Sequence, residues 1–402
     1  MSVPLDRLYH YLADCVNHDL VIYRWAPHGS RKLEDLTQLI NYPEQKWHTN
    51  PTAIFHDQEP LNYSFYTKDQ IRSLAKSQFV SKYLDFMLKD SVLDYVSQQH
   101  LRGIAVCVNC YDFTILVHSE QNSRQVELFS KKNFIPVYYW SHAIIAQDWY
   151  RYANHDPNLD FTLKNISQDF LIYNRAWAGT REYRLNFVEN LIDNRLVEHC
   201  KITFCPVDQD IHYTNYVFDN QNFKISNFEL ENYFPLNTHS PTSSADYVSS
   251  DYAVTGIEVV LETLFDDSRW HLTEKTLRPI ACGKPFILAA TPGSLQYLRN
   301  YGFETFAGYI DESYDQIKDG RARLTAVIQE MKRISALDAD AKQALYTKLH
   351  EIAQRNKHRF FNELFDQVIE EYKTNLNQAM GIMQQHCTDR HRTAIRQLLQ
   401  QN

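Results

Sequence analysis

The chain has 402 residues, 44% hydrophobic and 22% charged, a globular composition and a length that calls for more than one ordinary core. A net charge of −8 argues against a protein that grips nucleic acid mainly through phosphates. The opening MSVPLDRLYHYLADC is acidic and lacks an apolar centre, and no long apolar run occurs, so neither a signal peptide nor membrane insertion is expected. Seven cysteines are an odd number for a disulfide framework. Cys107 and Cys110 form a CxxC inside an apolar run with no second pair at zinc spacing, so free thiols and a cytoplasmic location are expected.

In chain order, DLVIYRW (19–25), TAIFHD (52–57), IAVCVN (104–109), TILVHS (114–119) and IPVYYW (135–140) are apolar runs with polar or aromatic ends. That is the pattern of buried strands reaching the ligand crevice of an open α/β sheet. Residues 141–152 have a helical pattern. A second set begins with the strand DFLIYN (169–174). An amphipathic helix follows over 180–196, with Leu185, Val188, Ile192 and Leu196 at helical intervals. CKITFCPV (200–207), GIEVVLETLF (256–265) and KPFILAA (284–290) are further strands, and the Ser/Thr-rich stretch 236–250 is a loop. LTEKTLRPIACG is a helix closed by Gly283, and Pro292 opens another that ends at Gly302. From Tyr314 onward the pattern is helical. Alternating strands and helices predict an α/β fold with parallel sheets, arranged as two Rossmann-like domains, 1–165 and 166–312, with a helical C-terminal region 313–402.

Thr273-Glu274-Lys275 opens a helix after a strand and loop. Helix-start N–H groups with an ammonium suit a phosphate, and a neighbouring carboxylate suits ribose hydroxyls; plain capping by Glu274 is the competing reading. Thr291-Pro292-Gly293-Ser294 offers a second anion-facing turn, with Ser294 at its helix start. Asn174 and Arg175 end a strand, and Arg181 and Arg184 start the next helix, where a solvated helix face is the alternative. Asp57 and Glu59 follow one strand; His118 and Glu120 follow another. Each supplies a group able to take a proton from a hydroxyl, against a capping or structural role. His142 is a weaker candidate of the same kind, and Trp25, Pro27 and His28 could wall an acceptor site. Asp208-x-Asp210 and Asp266-Asp267 are carboxylate pairs that could hold Mg²⁺, although neither is a DxD flanked by apolar residues at a strand end.

The stretch HLTEKTLRPIACGKPFIL (271–288) resembles the donor-binding motif of the α(1→3)-fucosyltransferases. That resemblance gives Glu274 the ribose and Lys275 the diphosphate of a nucleotide-sugar co-substrate; His271 stands where the family has Tyr. YNRAWAGTREYRLNFVENL (173–191) is similar to the family's strand–Asn–x–Arg–helix segment, which puts a diphosphate-binding role on Arg181, then Arg184. IFHDQEPLNYSFY (54–66) resembles its acceptor-side Glu-Ser-Pro-x-Asn segment, one residue shorter, and makes Glu59 the first candidate base and Asp57 the second. The whole pattern is also similar to bacteriophage glycosyltransferase-like proteins.

The resemblance implies a two-domain (GT-B) transferase moving a sugar from a nucleotide-sugar to a hydroxyl, with no metal required because helix dipoles and basic residues hold the leaving diphosphate. The acceptor is then a hydroxymethylated pyrimidine in phage DNA or a glycan such as an oligosaccharide or lipopolysaccharide. Basic clusters at Arg355, Lys357, His358, Arg359 and at Arg390, His391, Arg392, Arg396 suit DNA or merely solvated helix faces. The alternatives are a non-catalytic binding or assembly module of the same fold, and a nucleotide-sugar epimerase.

Overall fold

The computed structural model describes residues 3–5, 7–16, 20–25, 37–39, 52–56, 58–62, 114–132, 134–159, 165–234 and 246–400, with the side chains of 21–25, 37–39, 52 and 387–400 left aside. The fold is mixed α/β, with parallel sheets and a helical C-terminal stretch. The chain divides into two compact units. One is Pro4–Ser141 with Val368–Asn402, and the other is Met1–Val3 with His142–Gln367. Among the described residues, no helix is long and apolar enough to cross a membrane.

The N-terminal unit runs α1 (Leu8–Asp14), β1 (Val21–Trp25), β2 (Thr37–Leu39), β3 (Thr52–His56), β4 (Thr114–His118), α2 (Arg124–Ser130) and β5 (Phe134–Tyr138). Its sheet order is β2-β1-β3-β4-β5. Among the described strands of this sheet, only the β1–β2 pairing is antiparallel. Ile54, Phe55, Ile115, Val117 and Val137 are buried, as sheet residues covered on both faces must be. Phe55 packs against Tyr9 of α1 and against Tyr372 from the C-terminal helix.

The second unit contains α3 (Ser141–Trp149, from His142 on), β6 (Gln168–Asn174), α4 (Tyr183–Asp193), β7 (Cys200–Phe204), the hairpin β8 (Val207–Asp208) and β9 (Ile211–His212), α5 (Ser249–Val254) and β10 (Thr255–Leu261). It continues with α6 (Glu274–Cys282), β11 (Phe286–Ala289), α7 (Ser294–Asn300), α8 (Gly320–Ser335), α9 (Ala339–Asn362) and α10 (Leu364–Gln400), whose first residues to Gln367 belong here. The sheet is all parallel in the order β11-β10-β6-β7. The chain goes from β6 outward to β7 and then returns to the other side of β6 for β10. The order therefore reverses between β6 and β10, the place where open α/β sheets form a crevice at the strand carboxyl ends.

Several expectations shift. The compact units divide at Ser141/His142, and Tyr150 donates to the Glu274 carbonyl and Gln147 to the Phe360 carbonyl, tying the 142–150 stretch to the second unit. The helical region 313–402 is divided between the units at Gln367/Val368. The helix expected over 180–196 starts only at Tyr183, behind a 3₁₀ turn at Gly179–Arg181. The strand expected over 256–265 stops at Leu261, and Ser249–Val254 is helical. Pro292 lies outside α7, which is capped by Gly293. Gly283 ends α6 with φ +68°, as anticipated for a left-handed helix stop. The run 104–109, with Cys107 and Cys110, lies outside the described residues.

Glu258 in the middle of β10 is fully buried. Arg278 of α6 meets it through Nε at 3.1 Å and Nη2 at 2.6 Å, and the Tyr252 hydroxyl donates to its other oxygen. The Arg278 guanidinium lies 4.6 Å from the centre of the Tyr173 ring. Burial opposes the Arg278 charge, but Glu258 outweighs it and holds the pKa above the ordinary arginine value. This pair fixes α6 on the sheet and so sets where Glu274 and Lys275 stand.

Candidate functional site

At the carboxyl end of β10 the backbone turns at Glu262, whose carboxylate is buried against the start of α6. It accepts from Thr273 N at 2.9 Å, Thr276 N at 3.2 Å and Thr263 N at 3.0 Å. The hydroxyls of Thr273 and Thr276 also donate to it, at 2.8 and 2.5 Å. Burial alone would raise its pKa; Lys275 and these hydrogen bonds outweigh burial and hold it below the usual carboxylate value. The N-terminus of α6, expected to face a phosphate, is therefore filled by the protein's own carboxylate. Its Lys275 N–H goes to Thr273 Oγ1.

Thr273, the N-cap, and Glu274 are buried, while the Lys275 side chain keeps 14% exposure. Lys275 Nζ lies 2.7 Å from Glu274 Oε1 and 3.3 Å from Thr273 Oγ1. The other Glu274 oxygen is 3.7 Å from His142 Nε2, and the His142 ring stands edge-on to His271 at 5.2 Å. Glu274 thus joins an ammonium on one side to a buried histidine pair on the other.

Arg184 is buried, not a solvated face. Its guanidinium spans the switch point, donating to Ala176 O at 2.6 Å, Leu261 O at 2.6 Å and Glu262 O at 3.0 Å. Three carbonyls so placed leave it a brace between β6 and β10 rather than a ligand for diphosphate. Burial, and after it the charge of Arg181, lower its pKa, while Tyr183 and Glu262 raise it. Asn174 is fully buried, taking Thr203 Oγ1 on its backbone N–H and donating through Nδ2 to Arg184 O. Arg181 is half-buried and Arg175 exposed.

The second expected anion turn is also occupied from within. Asp315 Oδ1 accepts from Leu295 N at 3.2 Å, and its carbonyl accepts from Gly293 N at 2.8 Å. Ser294 is buried and donates its hydroxyl to Thr291 O at 2.7 Å. Burial pushes the Asp315 pKa up to about 6, against the pull of Leu295 N and Arg299. A carboxylate raised in this way favours the folded state most below its unfolded pKa of about 3.9, and that contribution is lost as pH rises through about 6. Between pH 4 and 7.5 the stability of the protein relative to Asp315→Asn is expected to fall by up to roughly 3 kcal/mol, read from urea unfolding at each pH. Parallel pH curves for the two proteins would contradict this.

In the N-terminal unit, the carboxyl ends of β3 and β4 bring His56 and His118 into register. Glu120 is buried, accepting from Leu61 N and Ser123 Oγ, each at 2.5 Å. It therefore anchors the 58–62 segment that carries half-buried Glu59. His118 is buried, with Nδ1 accepting from Glu120 N at 3.3 Å and its ring 5.9 Å from Tyr138. Asp57, Pro27 and His28 lie outside the described residues, as does the Trp25 side chain. Asp208 accepts from Trp177 N and Ala178 N, both at 2.7 Å, and Asp267 is paired with Arg269.

The sequence reading missed Glu262, Asp315 and the contact of His142 with Glu274 and His271. An acidic residue inside an apolar run, as Glu258 and Glu262 are in GIEVVLETLF, was the available signal, since such residues are buried only when partnered. Asp315 lies too far along the chain from α7 to carry a local signal. Set against family models, curated proteins and solved structures, the chain matches none of them.

Proposed function

We propose that this chain is a glycosyltransferase of the two-domain type that takes its nucleotide-sugar in the second unit. One observation carries the reading: around the switch point Arg184 feels the charges of Arg181 and Glu262, and Glu262 in turn feels that of Lys275, so the two motif segments are linked through Glu262. With both helix starts filled by Glu262 and Asp315, the donor diphosphate would rest on side-chain cations, Lys275 and Arg181 first and exposed Arg175 next. Glu274, held between Lys275 and His142, would accept from the ribose hydroxyls. This charge balance requires no metal for the leaving group.

The reaction is a single displacement. The acceptor hydroxyl oxygen bonds to the anomeric carbon as the bond from that carbon to the diphosphate oxygen breaks, and the hydroxyl proton passes to a carboxylate. Glu59 is the proposed base. Glu120, committed to Leu61 and Ser123, positions the segment, and the reaction inverts the anomeric centre. The acceptor is a hydroxymethylated pyrimidine in DNA or a glycan hydroxyl.

Incubation with UDP-, GDP-, CMP- and ADP-sugars and either class of acceptor is expected to add one sugar mass to one acceptor, detected by mass spectrometry. Glu59→Gln should lower that rate by roughly 10²–10⁴-fold. A rate unchanged in Glu59→Gln removes Glu59 as base. A non-catalytic module is the second reading, favoured by the internal filling of both helix starts and by the engagement of Arg184 with three backbone carbonyls; it predicts no transfer with any pair.

A further inference from the structure

The second unit holds an open groove of about 590 Å³ that none of the residues proposed to hold the donor line. Arg299 of α7, the turn Ala307–Ser313, Gln316 and Arg333 of α8 form it. Its floor is held by backbone and ion pairs. Gly308 has φ +88°, and a Cβ there would meet nothing within 4 Å, so the turn opens directly onto the groove. Tyr309, 41% exposed, lines it, and its carbonyl is fixed by Arg333 Nη2 at 2.9 Å.

The two arginines of the groove are each already paired with a carboxylate. Arg299 pairs with Glu312 at 2.6 Å and also donates to Thr305 Oγ1. Glu312 further accepts from Phe306 N and the Thr305 hydroxyl. Arg333 pairs with Glu330 at 2.6 Å, and Asp311 accepts from Ser313 N. An anionic ligand would have to break these pairs to gain a partner. A neutral polyhydroxy ligand would not. It would meet fixed donors and acceptors at the pair edges, the Ser313 hydroxyl and the Gln316 amide, with a tyrosine ring for the C–H face of a sugar. The volume falls within the usual range for a small-molecule site.

We infer that this groove binds a neutral oligosaccharide, with Tyr309 as its stacking platform. The site does not depend on the donor reading. The test is calorimetric titration of the full chain with maltotriose, mannotriose, N,N′,N″-triacetylchitotriose and, as the charged comparison, tri-galacturonate. At least one neutral trisaccharide should bind. Tyr309→Ala should weaken it roughly tenfold, while Tyr309→Phe, which keeps the ring, should retain it. Nucleotide-sugar binding should be the same in Tyr309→Ala as in the unaltered protein, which separates this site from the donor site. The proposal is overturned if no neutral trisaccharide binds, if binding ignores Tyr309→Ala, or if tri-galacturonate binds more tightly than the neutral sugars.

Discussion

Replacing Arg278 by Met should lower the unfolding free energy of the second unit by about 3–5 kcal/mol. Glu258 is wholly enclosed by the sheet and α6, and Arg278 supplies the charge facing it within 2.6 Å. Without the guanidinium, a carboxylate is left in a low-dielectric interior with the Tyr252 hydroxyl beside it. The double variant Glu258→Leu with Arg278→Met removes both charges and should recover most of the loss, because a buried ion pair stabilises little relative to an apolar pair of similar volume. Guanidinium unfolding of the three proteins checks this. A double variant as unstable as Arg278→Met alone would show that packing against Tyr173, rather than charge, is what α6 loses.

Glu262→Ala is expected to cost about 3–5 kcal/mol as well, by another route. The carboxylate is the shared acceptor for the backbone N–H groups of Thr263, Thr273 and Thr276 and for two threonine hydroxyls. Removing it strands buried donors at the first turn of α6, although Thr273 Oγ1 still caps the Lys275 N–H. The pH sign follows from the lowered pKa. The contribution of Glu262 is fully present above the unfolded value of about 4.3 and disappears as pH falls through the lower folded value. The stability gap between the protein and Glu262→Ala should therefore be constant from pH 6 to 8 and close in acid. Because Glu262 also fixes the turn bearing Glu274 and Lys275, the variant should bind donor more weakly even where it remains folded. Undiminished donor affinity in a folded Glu262→Ala sample would detach this carboxylate from the site.

Strand positions were legible because apolar runs bounded by polar residues are local signals: β1, β3, β4, β7 and β11 lie within the expected runs, and β5 and β6 each begin one residue earlier. The ends were less legible because side chains far apart in sequence set them. Glu262 breaks off β10 by turning toward Thr273, and Asp315 delays α7 past Pro292. For the site, type and rough position could be read, but not commitment. Arg184 looked like a surface cation and is spent on backbone carbonyls. Glu120 looked like a base and is spent on Leu61 and Ser123. Lys275 and Arg181, which keep some exposure, are the residues for which the expected role remains chemically open.

The most direct test is thermal unfolding of the purified chain against the panel of UDP-, GDP-, CMP- and ADP-sugars. A donor present at about a hundredfold over its dissociation constant should add about 2.7 kcal/mol of stability. The account predicts a clear rise in Tm with one nucleotide, retained in Tyr309→Ala and lost in Lys275→Ala and Arg181→Ala. No shift with any donor, in a folded and monodisperse sample, would contradict a nucleotide-sugar site at the β6–β10 switch point.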